Sequence, residues 1–300
     1  MGVDPVNPIK AWAAQIRAPF LLLSVVLVLI GGAAAHAEAS LDGLRFALCL
    51  VGVILAHVAV NLFNEHSDNE TGIDHETPRT PFSGGSGTLQ QGHTTPRAVL
   101  AVAASCLLVA LGIGIYLSWV SGWLLMVFVA IGGLCTVLYT RVLAKLLLGE
   151  LAAGLTLGSF VVLGTYYAIV GSLSPTVVWL SIPPGILTAL LLLLNELPDA
   201  DADRRGGRRH LVIVLGRRNA AVLYVVALAA SYLVLAAGVL LGRLSPWVLL
   251  AMLTTPLALK ASIGALRHHS TLDKLVPALG ANVGVVLATD LLLAVAYFIH

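Results

Sequence analysis

Leu190-Leu191-Leu192-Leu193-Leu194-Asn195-Glu196-Leu197-Pro198-Asp199-Ala200-Asp201-Ala202-Asp203-Arg204-Arg205 passes without a break from an apolar run to a row of acids and then to arginines. The apolar part closes an uncharged segment, 177–194. At about 1.5 Å per residue, such a segment nearly crosses a hydrocarbon layer about 30 Å thick. A helix of this composition belongs in lipid, where every backbone group must be satisfied within the segment. Asn195, Asp199 and Asp203 recur every fourth residue. A helix continuing through them sets three oxygen-bearing side chains along one side.

The rest of the chain repeats the first half of that pattern. Hydrophobic residues make up 58% and charged residues 11%, and the mean hydropathy is +0.95, which excludes a water-soluble globule. Nine runs meet the length of a membrane helix: 19–35, 44–62, 98–118, 123–139, 151–170, 177–194, 220–241, 246–266 and 279–298. The predicted fold is therefore an all-α membrane protein with nine transmembrane helices. Cys49, Cys106 and Cys135 fall within these spans without CxxC spacing and read as small apolar residues. The first span, with Lys10 and Arg17 before it and Ala35-His36-Ala37 after it, also has the outline of a secretory signal. No exported soluble domain follows it, and the membrane span is the preferred reading.

Sidedness follows from the basic residues. With the N-terminus in the cytoplasm, Lys10, Arg17, Arg79, Arg97, Arg141, Lys145, the arginines from Arg204 to Arg218, Arg267 and Lys274 collect on the inner side. Lys260 lies nearest that side, and Arg45 and Arg243 alone fall outside. This is the positive-inside bias, and it places the C-terminal His300 externally. The net charge of +2 carries no message about a partner.

Two inner loops, after the second and sixth spans, hold nine of the fifteen acids: Glu65, Asp68, Glu70, Asp74, Glu76, Glu196, Asp199, Asp201 and Asp203. If the second helix runs on past Leu62, His57, Asn61, Asn64 and Asp68 share one stripe, and a polar stripe on a membrane helix needs a partner or a wet cavity. Four spans separate the clusters, so both emerge on one face and the repeat is parallel. Magnesium takes six oxygens and is typically bound by one or two carboxylates plus substrate phosphates. Two facing acid rows therefore suit a diphosphate. Arg208 and Arg209 are placed to grip its oxygens, and Arg217 and Arg218 read as part of the positive-inside bias.

Asn64-x-x-x-Asp68 with Gly72-x-Asp74, and Asn195-x-x-x-Asp199-x-x-x-Asp203 followed by Arg204 and Arg208-Arg209, resemble the two aspartate-rich motifs of the UbiA superfamily of intramembrane prenyltransferases. The resemblance covers nearly the whole chain. It implies one domain, 1–300, with two parallel half-repeats at roughly 19–170 and 177–298, its nine spans surrounding a central cavity with the active site at the cytoplasmic side. It further implies that Asn64, Asp68, Asn195, Asp199 and Asp203 serve two Mg2+ ions bridged by a prenyl diphosphate, with Asp74 as helper. Arg17, Lys145, Arg204, Arg208 and Arg209 would meet the diphosphate, and the catalytic set is Asn64, Asp68, Asp199, Asp203 and Lys145.

Asn61-Leu-Phe-Asn64-Glu65, Gly149-Glu150 and Gly164-Thr165-Tyr166-Tyr167 are similar to the dihydroxynaphthoate polyprenyltransferases of menaquinone synthesis. Glu65 stands where that branch usually has Asp, and Arg208-Arg209-His210 where it has Lys-Arg-Thr. The implied reaction joins a prenyl chain to an aromatic quinone precursor in a bacterial or archaeal cell membrane, with no nucleic-acid partner. Metal ions, Lys145 and the arginines would stabilise charge growing on the leaving oxygen. Glu65, His57 or His66 would take the ring proton, and Tyr139, Tyr166 and Tyr167 would line the cavity and face a carbocation.

Other readings stay open for single residues. His57 also suits a hydrogen bond between helices, and Tyr139 an interfacial belt. Lys260 and Asp290 would either pair across a hairpin, the preferred reading, or Lys260 would snorkel and leave Asp290 alone. Pro183-Pro184-Gly185 reads as a kink. A UbiA-type terpene cyclase would share the donor chemistry without an acceptor, and a secondary transporter would also carry repeats and midplane charges.

Overall fold

The computed structural model describes residues 7–77, 79–140 and 142–299. Arg141 and His300, used above for sidedness, lie outside the described residues, as does the side chain of Glu76. The regular elements among the described residues are all helices, without a strand.

Helix α1 (Pro8–Gln15) starts at Asn7, whose side chain accepts from the Ile9 amide at 2.9 Å. Arg17, in a left-handed turn with φ 52°, redirects the chain into α2 (Ala18–Glu38). Asp42 caps α3 (Gly43–Thr71) by accepting from the amides of Leu44 and Arg45. Helix α3 does continue through the polar stripe, for 29 residues in all, about 43 Å at the usual rise. It stops at Gly72, whose φ of 78° suits glycine and turns the chain into α4 (Ile73–Glu76). A loop returns to α5 (Pro96–Ser121), followed by α6 (Trp123–Leu138).

Next come α7 (Gly149–Val170) and α8 (Pro175–Arg205), followed by the short α9 (Leu211–Leu215). Helices α10 (Arg217–Leu240), α11 (Pro246–His268) and α12 (Leu272–Phe298) complete the bundle. Among the described residues, eight helices are long and apolar enough to cross a membrane. The segment expected as a fourth span is apolar and helical but only 16 residues long.

Helix α8 runs on for 31 residues through Pro183, Pro184 and Pro198. Its neighbour adapts there. Within α7, residues Ala153–Ser159 widen into π turns, a local form that accommodates an irregular contact. A Cβ on Gly154 would come within 2.6 Å of the Gly185 carbonyl oxygen, and one on Gly158 equally close to the Gly185 Cα. The glycines therefore permit backbone-to-backbone approach at the prolines, and the Ser159 hydroxyl donates to the Ser181 carbonyl at 2.9 Å.

The core lies where α2, α8 and α12 meet; Leu27, Leu194 and Leu279 are fully buried there. Outward faces are apolar too, with Trp119 89% exposed and Leu240 86%, the inverse of a protein built for water and the arrangement lipid requires. Asp290 sits fully buried on α12, and no donor among the described residues reaches either oxygen. Lys260 is exposed. The hairpin ion pair favoured from the sequence does not form, because the lysine points out of the bundle that encloses the acid.

Candidate active site

The ends of α3 and α8 carry the two acid rows to one small chamber. Asn64, Asp68, Asp74, Asn195, Asp199 and Asp203 all line it, and its volume is about 110 Å³. Arg208 bridges the rows: its guanidinium bonds the Asp68 carboxylate and donates to Asp203 Oδ1 at 3.0 Å. Burial acts against this cation, yet the charges of Asp68 and Asp203 overcome that effect and hold it above its usual value. Asp74 shows the opposite pressure. Burial, then the negative charges of Asp68 and Glu65, push its carboxyl up to about 7.

On these acid-row residues, three oxygens remain without donors among the described residues: Asp74 Oδ2, Asn195 Oδ1 and Asp199 Oδ1. Buried oxygens left unpaired are costly, and these three face a space lined by other acids. Hard cations with a phosphate ligand would satisfy them.

Beneath the chamber lies a second cavity of about 330 Å³, walled mainly by α3, α5, α6 and α7 and largely apolar. Arg17, Asn64, Tyr139, Leu192 and Asn195 line both spaces. A charged head and an apolar tail thus find adjoining compartments with a common rim. The rim is well supported. The Asn61 side chain donates to the Ile16 carbonyl at 3.0 Å beside Arg17, and Thr140 donates to Asn64.

His57 and Asn61 line the apolar cavity, and His57 Nδ1 meets the Ser24 hydroxyl at 2.9 Å, the interhelical bond that the sequence left open. Tyr139 faces the cavities. Other expected residues do not come together here. Glu65 lines neither space: its carboxylate accepts from Gln15 at 3.1 Å and from the Ser86 amide and hydroxyl at 2.7 Å each, with the Arg17 Nε at 3.5 Å. It ties α1 and the loop before α5 to α3. His66 instead lies 3.6 Å from Glu70.

Tyr166 belongs to the opposite end of the bundle, donating to Glu38 at 2.5 Å, where Ser174 also bonds. Tyr167 stands near Gly122, away from the acids. Lys145 is exposed on the single 3₁₀ turn Leu143–Lys145 and lines neither cavity. Arg204 donates to the Ile213 carbonyl at 3.3 Å. Arg209 is exposed, and among the described residues only its backbone is engaged, at Ala144 and Leu147. Arg217, read as a sidedness signal, bonds Asp201 at 3.0 Å and the Leu197 carbonyl.

Sequence reasoning missed the loop that closes the chamber. Ser83, Gly84 and Gly85 line it, and a Cβ on Gly85 would strike the Asp74 carboxylate. The available signal was the run Gly84-Gly85-Ser86-Gly87, whose three glycines all take positive φ.

An all-helical bundle with an acid-lined chamber opening onto an apolar cavity has the form of a membrane-embedded protein with an internal site. The UbiA prenyltransferase family model matches residues 24–276, and the chain belongs to that family of prenyltransferases. The 1,4-dihydroxy-2-naphthoate octaprenyltransferase of Bacillus subtilis is 28% identical over 259 residues, which cover 85% of this chain and 82% of the relative. Among solved structures, the apo UbiA homolog from Aeropyrum pernix K1 superposes with a TM-score of 0.65 at 22% identity, over 89% of this chain and 98% of the homolog. A UbiA homolog from Archaeoglobus fulgidus bound to DMAPP and Mg2+ gives 0.59 at 14% identity, covering 96% and 98%.

Proposed function

We propose that the chain transfers a prenyl group from a prenyl diphosphate to 1,4-dihydroxy-2-naphthoate, with two magnesium ions in the chamber and the acceptor at the rim. The observation that carries this reading is the continuity of acid chamber and apolar cavity through Arg17, Asn64, Tyr139, Leu192 and Asn195. The acceptor is suggested by the name of the Bacillus subtilis relative, and magnesium by the Archaeoglobus fulgidus homolog bound to DMAPP and Mg2+.

The chain's own groups fit this division of labour. Asn64, Asp68 and Asp74 would hold one ion, and Asn195, Asp199 and Asp203 the other, through oxygens that include the three without donors. Bound there, magnesium would supply positive charge to the diphosphate and to the oxygen left when the allylic bond breaks. Arg17 lines the rim and Arg208 already sits among the acids, so both can bond phosphate oxygens with forked geometry. Lys145, Arg204 and Arg209 would have to turn inward to join them. The apolar walls keep water from an allyl cation, and the Tyr139 ring can face it. Of the three expected proton acceptors, His57 is the one that lines the cavity.

In the membrane this reading has nine spans in one domain of two parallel half-repeats. The 16-residue α6 would make the fourth, at about 24 Å, which local thinning or flanking side chains accommodate. The chamber would face the cytoplasm, as the basic residues indicate. The deciding experiment incubates the purified chain with Mg2+ and prenyl diphosphates of several lengths, with and without 1,4-dihydroxy-2-naphthoate. Prenylated naphthoquinol is the expected product. A cyclic hydrocarbon formed equally well without acceptor would overturn the transferase reading.

A further inference from the structure

We infer that Glu150, Glu196 and His210 form a second cation site, distinct from the two acid rows but sharing the wall of their chamber through Glu196 and His210, for a single divalent transition metal such as zinc. Among the described residues these are the three side chains whose ligand atoms all lie within 4.8 Å of one another. They come from three elements: the start of α7, the end of α8, and the residue just before α9. All three are buried, at 3%, 9% and 2% exposure.

The ligand atoms face one another, with no donor from outside the cluster among the described residues. Glu150 uses Oε1 to accept from the Leu211 amide at 2.7 Å, and no donor reaches its Oε2. No donor reaches Glu196 Oε2 either, nor does His210 Nδ1 have a hydrogen-bond partner. Two buried carboxylates facing one another without an intervening positive charge repel strongly. His210 Nε2 lies 3.1 Å from Asp203 Oδ2. An ionised carboxylate has no hydrogen to give, so Nε2 is the donor, and in a neutral imidazole Nδ1 then carries the lone pair. That lone pair lies 3.5 Å from Glu196 Oε2, close to the ligand spacing of roughly 3.3 Å around tetrahedral zinc.

The Asp203–His210 bond is the outer support expected of a metal-ligating histidine. One imidazole and two carboxylates suit a borderline cation better than magnesium, which prefers oxygen alone. A cation here would clamp the loop carrying Arg208 to α7 and α8. Three backbone bonds already run beside it: Arg208 amide to Asp203, Arg209 amide to Ala144, and Leu147 amide to Arg209.

Cobalt is the probe, because its visible absorption reports ligation directly. The full chain in detergent is stripped with chelator and titrated with Co2+ in excess Mg2+. One Co2+ per chain, with an absorption band retained in Asp199→Asn, is expected. Glu196→Gln and His210→Asn should each weaken Co2+ binding by roughly tenfold or more. No Co2+ bound by the wild-type chain under magnesium would overturn the inference and leave a proton as the bridge between the two glutamates. A band lost in Asp199→Asn but kept in His210→Asn would also overturn it, by moving the ion to the acid rows.

Discussion

The guanidinium of Arg208 holds the carboxylate of Asp68, which lies 140 positions earlier in the chain. With its other arm on Asp203, it joins the two acid rows. A diphosphate bound between the rows would compete with both carboxylates for this one guanidinium.

Arg208→Ala is expected to lower kcat/KM about 10²–10³-fold, the scale of one lost charge-stabilising contact. Arg208→Lys should recover little, because a point charge cannot bond Asp68 and Asp203 through two arms. Steady-state kinetics with varied prenyl diphosphate would measure both. Full activity in the alanine variant would remove Arg208 from the reaction.

Asp68→Asn and Asp199→Asn should each lower turnover by at least about 10²-fold while the protein keeps its unfolding temperature in detergent. Excess chelator should stop the wild-type reaction, and added Mg2+ should restore it. Undiminished turnover in chelator would rule out a metal-dependent chamber.

Glu65 is expected to matter for stability first. Glu65→Ala strands the amide and hydroxyl of Ser86 and the Gln15 side chain, costing about 1–3 kcal/mol. Glu65→Gln retains an acceptor and should unfold closer to wild type. Thermal unfolding in detergent, set beside activity, separates this role from proton transfer: a folded Glu65→Gln without turnover would favour a chemical one.

Gly132 lines the apolar cavity, and a Cβ there meets no heavy atom within 4 Å. Gly132→Leu should fill tail space and shift activity toward shorter prenyl diphosphates. Mass spectrometry of products from a mixture of donors would show it. An unchanged length profile would mean that the tail leaves the bundle elsewhere.

Asp290→Asn should leave turnover unchanged within about twofold and keep or raise the unfolding temperature, since a buried acid without a donor is itself a burden. A large loss of activity would give α12 a part in the reaction.

The helical membrane fold was legible because lipid imposes long apolar runs, and the chamber because Asn64/Asp68 and Asn195/Asp199/Asp203 repeat at the period of a helix. Spacing along one helix does not reveal what stands opposite. Glu65 lies one residue from Asn64, about 100° around α3, and so faces Gln15 and Ser86 instead of the chamber. Tyr166 was drawn into the cavity by a sequence likeness, whereas its place near the far end of α7 puts it beside Glu38. Glu196 and His210 attracted little notice because their partnership with Glu150 depends on three separate segments meeting, which no local pattern records.

The rim shared by Arg17, Asn64, Tyr139, Leu192 and Asn195 has a consequence for registration. An amphiphile inside the bundle is oriented by partition alone: reversing it would immerse phosphates in hydrocarbon and press a greasy chain among carboxylates. The bond joining its two ends then falls at the boundary whatever the length of the tail, so the place of cleavage is measured from the head and the far end of the chain need not be sensed.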